Sequence, residues 1–589
     1  MTPFTPPTQD QLLAIRVNAG IDELAQAEKF AHAESDLVEA IVEGVGQFAA
    51  GEFAPLNRIG DLEGAKLENG VVRLPDGFKE AYQGYVEQGW NSIGSSADFG
   101  GQGLPFTLSC NVLENLGSAN MAFCLLPMLS VGAIEALEHH GSDAQKSLYL
   151  PDLISGKWSG TMNLTEPAAG SDVGALRSTA EPITDGEHAG KYKIKGQKIY
   201  ITWGDHTLAD NIIHLVLARI EGAEPGTKGL SLFIVPRVRI NEDGSLGEEN
   251  DVTVPSIEHK MGINGSATCV MNFGDEGKCL GEVVGGVEHQ GIRQMFHMMN
   301  AARMGVGIQG IAIGDVAYQN GAIYANERLA GRALSGAKNP DASADPIIVH
   351  PDVRRMLLTM RANILAGRAL SMYAALQLDV SRFHPDADVR AKADKLVALL
   401  IPVQKAYCSD RGFDVCVLGQ QVLGGHGYVA EWGLEQNVRD ARIAQIYEGA
   451  NGVQALDLVG RKMLRDGGKV AMSLMADMRA SEAPADLKAG LDAAIGSLES
   501  ATQSVLRRSA EDPALAGAVS ADYLELFGLT LYAWFWARMA QAAPADEYGD
   551  NKRHTARYFY ARILPKHLSL VASIDADADA VMALPAEAF

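Results

Sequence analysis

One glutamate in the C-terminal half of the chain has the surroundings of a general base. Glu448 lies between Tyr447 and Gly449 in an apolar segment that reads Ile-Tyr-Glu-Gly. A carboxylate among apolar neighbours loses part of its hydration, which raises its pKa and favours proton abstraction near neutral pH. The alternative interpretation is a glutamate that simply ends a helix, and the segment alone leaves both open.

A second segment, residues 162–176 (MNLTEPAAGSDVGAL), has the composition of a ligand-binding turn. It begins as an apolar strand and continues through small and polar residues, among them Thr165, Gly170 and Ser171. Such a turn presents backbone N–H groups and hydroxyls to a planar polar ligand. An ordinary β-turn is the alternative interpretation.

The other motifs are better explained by structure than by chemistry. GVGIQG (305–310) has the G-x-G-x-x-G spacing, but helical sequence surrounds it, so we predict glycines that allow close helix packing. P-loop, H-E-x-x-H and G-x-S-x-G motifs do not occur in the sequence. Six dispersed cysteines and the isolated pair His139-His140 favour neither a disulfide framework nor a metal site.

Four regions that differ in predicted secondary structure must position these segments. The predicted domains are an N-terminal helical domain (1–160), a central β domain (161–285), a helical bundle carrying Glu448 (286–465) and a C-terminal helical extension (466–589). Three runs rich in β-branched and aromatic residues predict strands in the β domain: 191–202, 211–220 and 230–238. Lys195-Gly196, inside the first run, is predicted to form a hairpin turn.

The charge of the chain restricts its partners. Its 589 residues include 50 basic and 73 acidic side chains, for a formal net charge of -23. Such a surface repels nucleic-acid phosphates and anionic lipids, so neither nucleic acid nor membrane is an expected partner. Residues 290–370 are an exception, with nine basic and five acidic side chains, and an anionic ligand is expected there.

The N-terminal half offers little support for export or membrane insertion. The first residues, MTPFTPPTQDQLLAI, lack the pattern of a signal peptide. The uncharged stretch 115–134 contains Asn120 and Pro127, which is more typical of a buried helix than of a membrane span. The expected location is the cytoplasm.

Taken together and in this order, the segments resemble the acyl-CoA dehydrogenase family. The resemblance rests on LTEPAAGSD, KIYIT, KMGINGSAT, NERLAGR, QQVLGGHGY and RDARIAQIYEG, and it spans residues 40–465. FGGQGLP (99–105) and the chain beyond 465 resemble the long subgroup of that family. It implies an α+β multidomain fold: a helical domain, a β-barrel-like domain, a helical bundle and an extra C-terminal helical domain.

The resemblance also implies a reaction. Noncovalent FAD would oxidise an acyl-CoA thioester to the trans-2-enoyl-CoA, with Glu448 taking the α-proton and electron-transfer flavoprotein accepting the electrons. Some relatives carry the base before an arginine on an earlier helix, but that place is Ala302, before Arg303, here. Glu435 is the second candidate, although it matches a helix-supporting carboxylate. The expected acyl group is short, such as methylthiopropionyl, with a general short or medium fatty acyl chain as the alternative.

Residues matching the family's ligand contacts form three groups. Those matching contacts to the flavin ring are Met162, Leu164, Thr165, Gly170, Ser171, Tyr200 and Thr202. Those matching a neighbouring subunit's contacts to FAD, which imply a homo-oligomer with a dimer favoured, are Arg328, Gln421, Gly424 and Gly425. Substrate candidates are Ser171, Arg303, Tyr447 and Gly449, and the KMGINGS loop (260–266) is a further candidate for CoA.

The sequence departs from the family pattern just after the base. Gly449 is followed by Ala450 where threonine is usual, and Gly452 replaces a usual glutamine. Cofactor contacts implied for Asn451 and Gln454 lose support for that reason. Two other functions stay open: an acyl-CoA oxidase that is reoxidised by O₂, and an FAD-binding scaffold without catalysis.

Overall fold

The computed structural model describes residues 3–24, 28–241 and 243–589, and the chain forms two compact units. The first unit, here the bundle unit, comprises Met1–Gly46 and Arg303–Phe589. The second, here the barrel unit, comprises Gln47–Ala302. The limits of the four predicted domains stay a prediction.

The barrel unit is built around a closed ring of strands. The strands are β1 (Lys66–Glu68), β2 (Val71–Arg73), β3 (Trp158–Asn163), β4 (Thr179–Pro182), β5 (Tyr192–Thr202), β6 (Asn211–Ile220), β7 (Leu230–Pro236), β8 (Val238–Ile240), β9 (Leu246–Glu249), β10 (Val252–Ile257), β11 (Thr268–Phe273) and β12 (Leu280–Val283). The main sheet has the order β10-β11-β5-β12-β7-β6-β3, and β4 pairs with both β5 and β6. Strands β5, β12, β7, β6 and β4 therefore close on themselves, as the predicted barrel-like domain requires.

Burial explains why these runs become strands. β6 and β7 are buried along almost their whole length, which suits their continuous Val, Ile and Leu content. β5 instead alternates buried and exposed residues over its first half. The predicted strands are confirmed, and β3 lies parallel to β6 with Met162 opposite Leu215.

The predicted hairpin turn at Lys195-Gly196 is wrong. Both residues lie inside β5, which continues to Thr202. A Cβ on Gly196 would lie 2.2 Å from Oγ of Ser178 and 2.8 Å from its Cα. The glycine therefore allows close approach of a neighbouring segment and does not mark a turn.

Helices form the rest of the N-terminal half. They are α1 (Thr8–Leu13), α2 (Ile21–Leu24), α3 (Ser35–Phe48), α4 (Ala54–Glu63), α5 (Phe78–Glu87), α6 (Phe106–Ala119), α7 (Met121–His140) and α8 (Asp143–Ile154). Residues 25–27 of the helical pattern predicted here lie outside the described residues. α7 is long and apolar enough for a membrane span by composition, but 83% of its apolar window is buried inside the protein.

The C-terminal half is helical throughout. Its helices are α9 (Gly291–Glu327), α10 (Pro351–Phe383), α11 (Ala387–Val422), α12 (Leu434–Arg442), α13 (Asn451–Leu456), α14 (Lys469–Ala480), α15 (Ala485–Glu511), α16 (Pro513–Ala518), α17 (Ser520–Ala542), α18 (Glu547–Arg562), α19 (His567–Ile574) and α20 (Asp579–Met582). GVGIQG lies inside α9, where a Cβ on Gly310 would lie 2.7 Å from the carbonyl oxygen of Cys408 on α11. The prediction of close helix packing is confirmed.

Candidate active site

The backbone of Glu448 is strained. The residue follows α12 and precedes α13, and its φ angle is 54°, in the left-handed region that non-glycine residues rarely adopt. Gly449 has a φ of 93°, and a Cβ there would lie 2.2 Å from Nε2 of Gln454. Such strain persists only where surrounding contacts enforce it, and it concentrates at functional positions.

Three side chains hold this backbone in place. Nε of Arg303 on α9 donates to the carbonyl oxygen of Glu448 at 3.2 Å. Nζ of Lys405 on α11 donates to the carbonyl oxygen of Gly449 at 2.8 Å. Nε2 of Gln454 on α13 donates to both carbonyl oxygens, at 3.3 and 3.4 Å. The loop that carries the predicted base is thus fixed from three helices of the bundle unit.

Burial and neighbouring charges act in opposite directions on the pKa of the Glu448 carboxyl group. Burial raises the pKa of Glu448, while the positive charges of Arg303 and Lys405 act to lower it. Burial also lowers the pKa of Lys405 to about 8, although Glu448 and Asp410 oppose that shift. A raised pKa makes the carboxylate a stronger base for proton abstraction, and the two positive charges limit that rise.

The neighbours of Glu448 have structural partners. The hydroxyl of Tyr447 donates to Oε1 of Gln309. Nδ2 of Asn451 donates to Oδ1 of Asp410 at 2.7 Å and to Oγ of Ser409 at 3.0 Å. Its Oδ1 accepts from Nζ of Lys405 at 2.8 Å, so the side chain is engaged within the bundle, and a cofactor contact stays a prediction.

The second candidate for the base has a different environment. Glu435 lies in the first turn of α12, where its Oε2 accepts from Nε of Arg439 at 2.6 Å. This is an i,i+4 ion pair that supports the helix, in agreement with the role implied by the sequence.

In the barrel unit, the two segments that resemble flavin contacts meet. The backbone N–H of Ile199 on β5 donates to the carbonyl oxygen of Thr165 at 2.9 Å. Met162 is the second-to-last residue of β3 and Thr202 ends β5, while Gly170 and Ser171 are exposed in the turn. Leu164 is buried beneath that turn.

Tyr200 carries an exposed aromatic ring and directly follows Ile199, whose backbone bonds to this turn. Its side chain is 60% exposed, and its φ angle of 60° is unusual for a bulky residue. An exposed ring next to hydroxyls and small residues fits a flat heteroaromatic ligand, because stacking and hydrogen bonding act together on such a molecule. The residues present therefore fit a flavin ring.

A buried ion pair supports the turn from below. Nζ of Lys198 donates to Oε1 of Glu166 at 2.7 Å and to the carbonyl oxygens of Leu164 and Leu217 at 3.0 and 2.8 Å. The backbone N–H and hydroxyl of Ser178 donate to the same Oε1 at 3.0 and 2.6 Å. The sequence alone did not predict this pair. Two features could have indicated it: the acidic residue within the adjacent Thr-Glu-Pro and a lysine, Lys198, directly before the apolar run Ile-Tyr-Ile.

The residues that resemble a second subunit's FAD contacts are all exposed on the bundle unit. Arg328 follows α9, and Gln421 lies in the last turn of α11; both are exposed. Gly424 and Gly425 are exposed too, and a Cβ on either would meet no atom within 4 Å. The guanidinium of Arg328 can pair with a phosphate, and the backbone of Gly424 and Gly425 is open to a ligand.

The barrel unit also contains a basic cavity that the sequence argument did not assemble. It has a volume of about 500 Å³ and is lined by Thr227, Lys228, His289, Gln290, Ile292, Arg293, Phe296 and His297. Its charged and titratable lining residues are all basic. Arg293 belongs to the basic region noted in the sequence, but Lys228 comes from a distant loop, so only folding brings them together.

The flavin-like turn continues toward this cavity. Gly174 follows Ser171 in the same segment, and a Cβ on it would lie 3.3 Å from the backbone nitrogen of Thr227. His297 is further bonded through Nδ1 to Nε2 of His140 at 2.9 Å. Among the described residues, no cluster of histidine, cysteine or acidic side chains could hold a metal ion.

The KMGINGS loop makes contacts of a structural kind. Nζ of Lys260 donates to the carbonyl oxygen of Ser266 at 2.9 Å, and Nδ2 of Asn264 donates to Oδ1 of Asp61 at 3.0 Å. Met261 is 59% exposed. A contact between this loop and CoA stays a prediction.

Comparisons with known proteins cover nearly the whole chain. Models of the acyl-CoA dehydrogenase N-terminal, middle and C-terminal domains match residues 35–157, 161–275 and 289–464, and one described as "Acetyl-CoA dehydrogenase C-terminal like" matches residues 471–585. The chain is 41% identical to 3-methylmercaptopropionyl-CoA dehydrogenase of Ruegeria pomeroyi, over 95% of this chain and 96% of that protein. It is 38% identical to a butyryl-CoA dehydrogenase of Syntrophomonas wolfei, over 70% of this chain and 67% of that protein.

Solved structures agree on the fold. Caenorhabditis elegans ACDH-11 in complex with C11-CoA aligns with a TM-score of 0.75 at 19% identity, covering 96% of this chain and 92% of that one. An acyl-CoA dehydrogenase of Bacillus anthracis complexed with FAD aligns with a TM-score of 0.73 at 20% identity, covering 92% and 88%. Site geometry, sequence matches and fold thus lead to one conclusion: the chain belongs to the acyl-CoA dehydrogenase family.

Proposed function

We propose that the protein catalyses α,β-dehydrogenation of a short acyl-CoA and that Glu448 is its base. The observation that carries this proposal is the geometry of Glu448, a carboxyl group of raised pKa on a strained backbone that three side chains hold. The carboxylate takes a proton from the carbon next to the thioester carbonyl. The electron pair of that C–H bond becomes part of the new carbon–carbon double bond.

The barrel unit supplies the proposed flavin contacts. FAD, when bound, supplies the oxidation by accepting the hydrogen of the β-carbon together with its electron pair. Tyr200 would stack on the flavin ring, and the turn with Thr165 and Ser171 would contribute hydrogen bonds. Lys198 and Glu166 keep that turn in register with β5.

The basic cavity is the proposed site for the phosphates of CoA. Lys228, Arg293, His289 and His297 surround it, and the flavin-like turn leads toward it. The positive charges of Lys228 and Arg293 attract an anionic ligand locally, even where the whole protein is strongly acidic. The negative average charge of the chain therefore does not conflict with a CoA ester as substrate.

The proposed acyl group is 3-methylmercaptopropionyl, which would be converted to methylthioacryloyl-CoA. This rests on the Ruegeria pomeroyi relative, which is named for that substrate and matches along almost the whole chain. A thioether and a methylene chain differ little in shape, so a hydrophobic pocket separates them by only about 1–3 kcal/mol. Steady-state kinetics with 3-methylmercaptopropionyl-, butyryl- and octanoyl-CoA test the assignment, which fails if butyryl- or octanoyl-CoA has the higher kcat/KM.

Other expectations from the family belong to the same proposal. The exposed residues Arg328, Gln421, Gly424 and Gly425 suit FAD contacts from a second copy of the chain, which favours a homodimer. Electron-transfer flavoprotein is the proposed acceptor, and the cytoplasm is the proposed location. Sedimentation of the FAD-loaded protein at several concentrations measures the oligomeric state.

The central experiment compares two glutamine variants. Glu448→Gln is expected to lower the rate of flavin reduction by acyl-CoA about 10²–10⁴-fold, because the reaction loses its base. Glu435→Gln, at the second candidate, is expected to keep most of that rate. Rapid anaerobic mixing, followed through bleaching of the flavin's visible absorption, measures both. Normal reduction in a Glu448→Gln protein that retains FAD would refute the assignment.

The same preparations separate the alternative functions. Peroxide formation from substrate in air without a mediator would indicate an oxidase. A protein that binds FAD but is never bleached by any acyl-CoA in anaerobic mixing would be a scaffold. The proposed dehydrogenase is bleached by substrate and turns over rapidly only when electron-transfer flavoprotein is added.

A further inference from the structure

We propose that Lys405 is a positioning residue for the base: it fixes the backbone beside Glu448, and its positive charge favours the ionised form of the Glu448 carboxyl before substrate arrives. This inference rests on the proposed function of Glu448. It assigns a role to a residue of α11 that lies 43 positions earlier in the chain.

The geometry of Lys405 leaves little freedom. Its side chain is fully buried, and Nζ lies 2.8 Å from both the carbonyl oxygen of Gly449 and Oδ1 of Asn451. One bond reaches the residue immediately after the base, and the other reaches the first residue of α13. The lysine therefore connects the loop that carries the base to the start of α13.

The partners of Lys405 explain why its charge matters. Both hydrogen-bond acceptors are uncharged oxygens, so these bonds do not neutralise the ammonium group. The charged groups that act on it are Glu448, Asp410 and Arg303. Arg303 in turn faces Asp457 and Arg461. Burial lowers the pKa of Lys405 to about 8, so the group is still mostly protonated at pH 7.

A charge effect and a purely structural effect predict different pH profiles. Removing a nearby positive charge raises the pKa of a carboxyl group, so less of Glu448 is ionised at a given acidic pH. The acid limb of the flavin-reduction rate should then move to higher pH by about 1 unit. Loss of packing alone lowers the whole profile and leaves its limb in place.

Three substitutions at one position separate charge from hydrogen bonding. Lys405→Met removes both, Lys405→Gln keeps a donor without the charge, and Lys405→Arg keeps the charge. We expect the acid limb to shift by about 1 unit in the Met and Gln variants and to stay in place in the Arg variant. Lys392→Met is the matched control, because Lys392 is an exposed residue of the same helix, and it should leave the profile unchanged.

The measurement uses FAD-loaded full-length protein and butyryl-CoA in anaerobic rapid mixing across pH. An acid limb that stays in place in both the Met and Gln variants overturns the proposal, whatever the plateau rate. If the Met variant fails to fold or bind FAD, the Gln variant decides the outcome. Failure of all three variants to fold would show a purely structural lysine and would also overturn it.

The result is distinguishable from failure of the proposed function. If Glu448→Gln turns over normally, the base assignment falls and the inference about Lys405 falls with it. If Glu448→Gln is inactive while the acid limb of Lys405→Gln is unmoved, the base assignment stands and only the role of Lys405 is wrong.

Discussion

Two buried lysines, one in each unit, hold backbone carbonyls beside the residues proposed for flavin and for catalysis. Lys198 does so beneath the turn with Thr165, and Lys405 does so beside Glu448. Burial lowers the pKa of each to about 8. They differ in their partners, because Lys198 has a carboxylate of its own in Glu166, whereas the hydrogen bonds of Lys405 go to uncharged oxygens.

This difference assigns different tasks to similar side chains. The charge of Lys198 is compensated at 2.7 Å within its own pair, so its effect on surrounding groups is small and its contribution is mainly to structure. The charge of Lys405 has no hydrogen-bonded carboxylate among its described partners and lies in the field of Glu448 and Asp410, so it acts on the ionisation of the base. Substitution should therefore affect stability most at Lys198 and the pH profile most at Lys405.

The largest stability effect is expected from Lys198→Met. It leaves the carboxylate of Glu166 buried without its counter-charge, which costs about 3–5 kcal/mol. Hydrogen exchange of β3 and β5 measures the loss as a lower free energy of local opening. Lys195→Met, at an exposed residue of the same strand, should stay within about 0.5 kcal/mol of the parent protein. Equal losses in the two variants would show that the ion pair does not support the turn.

A smaller loss of stability is expected from Lys405→Met. This substitution removes a donor from two neutral, partly buried oxygens, at a cost of about 1–3 kcal/mol, although the carbonyl oxygen of Gly449 keeps a longer bond from Gln454. Hydrogen exchange of α11 and α13 measures the loss in the free energy of local opening, which is then compared with the loss in Lys198→Met. If Lys405→Met costs more than Lys198→Met, the contrast between a compensated and an uncompensated lysine is wrong.

Acid titration tests the contrast between Lys198 and Lys405 through the ionisation of Glu166, the carboxylate paired with Lys198. Burial alone would raise the pKa of Glu166, but the charge of Lys198 and hydrogen bonds from Lys198, Ser178 and Arg177 outweigh it and lower the pKa below 4.5. A lowered pKa in the folded state means that this stabilisation is complete above pH 4.5 and is lost as pH falls through the folded value. Hydrogen exchange of β5 at decreasing pH should show this weakening, and Glu166→Gln should remove that part of the pH dependence.

The sequence indicates the turn at Thr165 and the loop at Glu448 more clearly than it indicates the residues that support them. Periodicity identified β5, β6 and β7, and short motifs identified Glu448 and the turn at Thr165, because these signals lie within a few consecutive residues. The sequence does not indicate the role of Lys405, because its partners Gly449 and Asn451 lie more than 40 residues away and come close only when α11 and α13 pack. Likewise, Lys195-Gly196 resembles a turn locally, but the approach of Ser178 explains the glycine.

The smallest effect is expected from Ser178→Ala, which tests how completely Glu166 is compensated. The substitution removes one hydroxyl donor at 2.6 Å and leaves the ion pair and the backbone donors of Ser178 and Arg177 intact. A hydrogen bond to a charged group contributes about 1.5–3 kcal/mol, and we expect a loss of less than about 1 kcal/mol because two other donors remain. Hydrogen exchange of β5 should register this modest loss. A loss as large as that of Lys198→Met would mean that Glu166 depends on its hydrogen bonds as much as on the lysine, and the ion pair would not be what supports the turn.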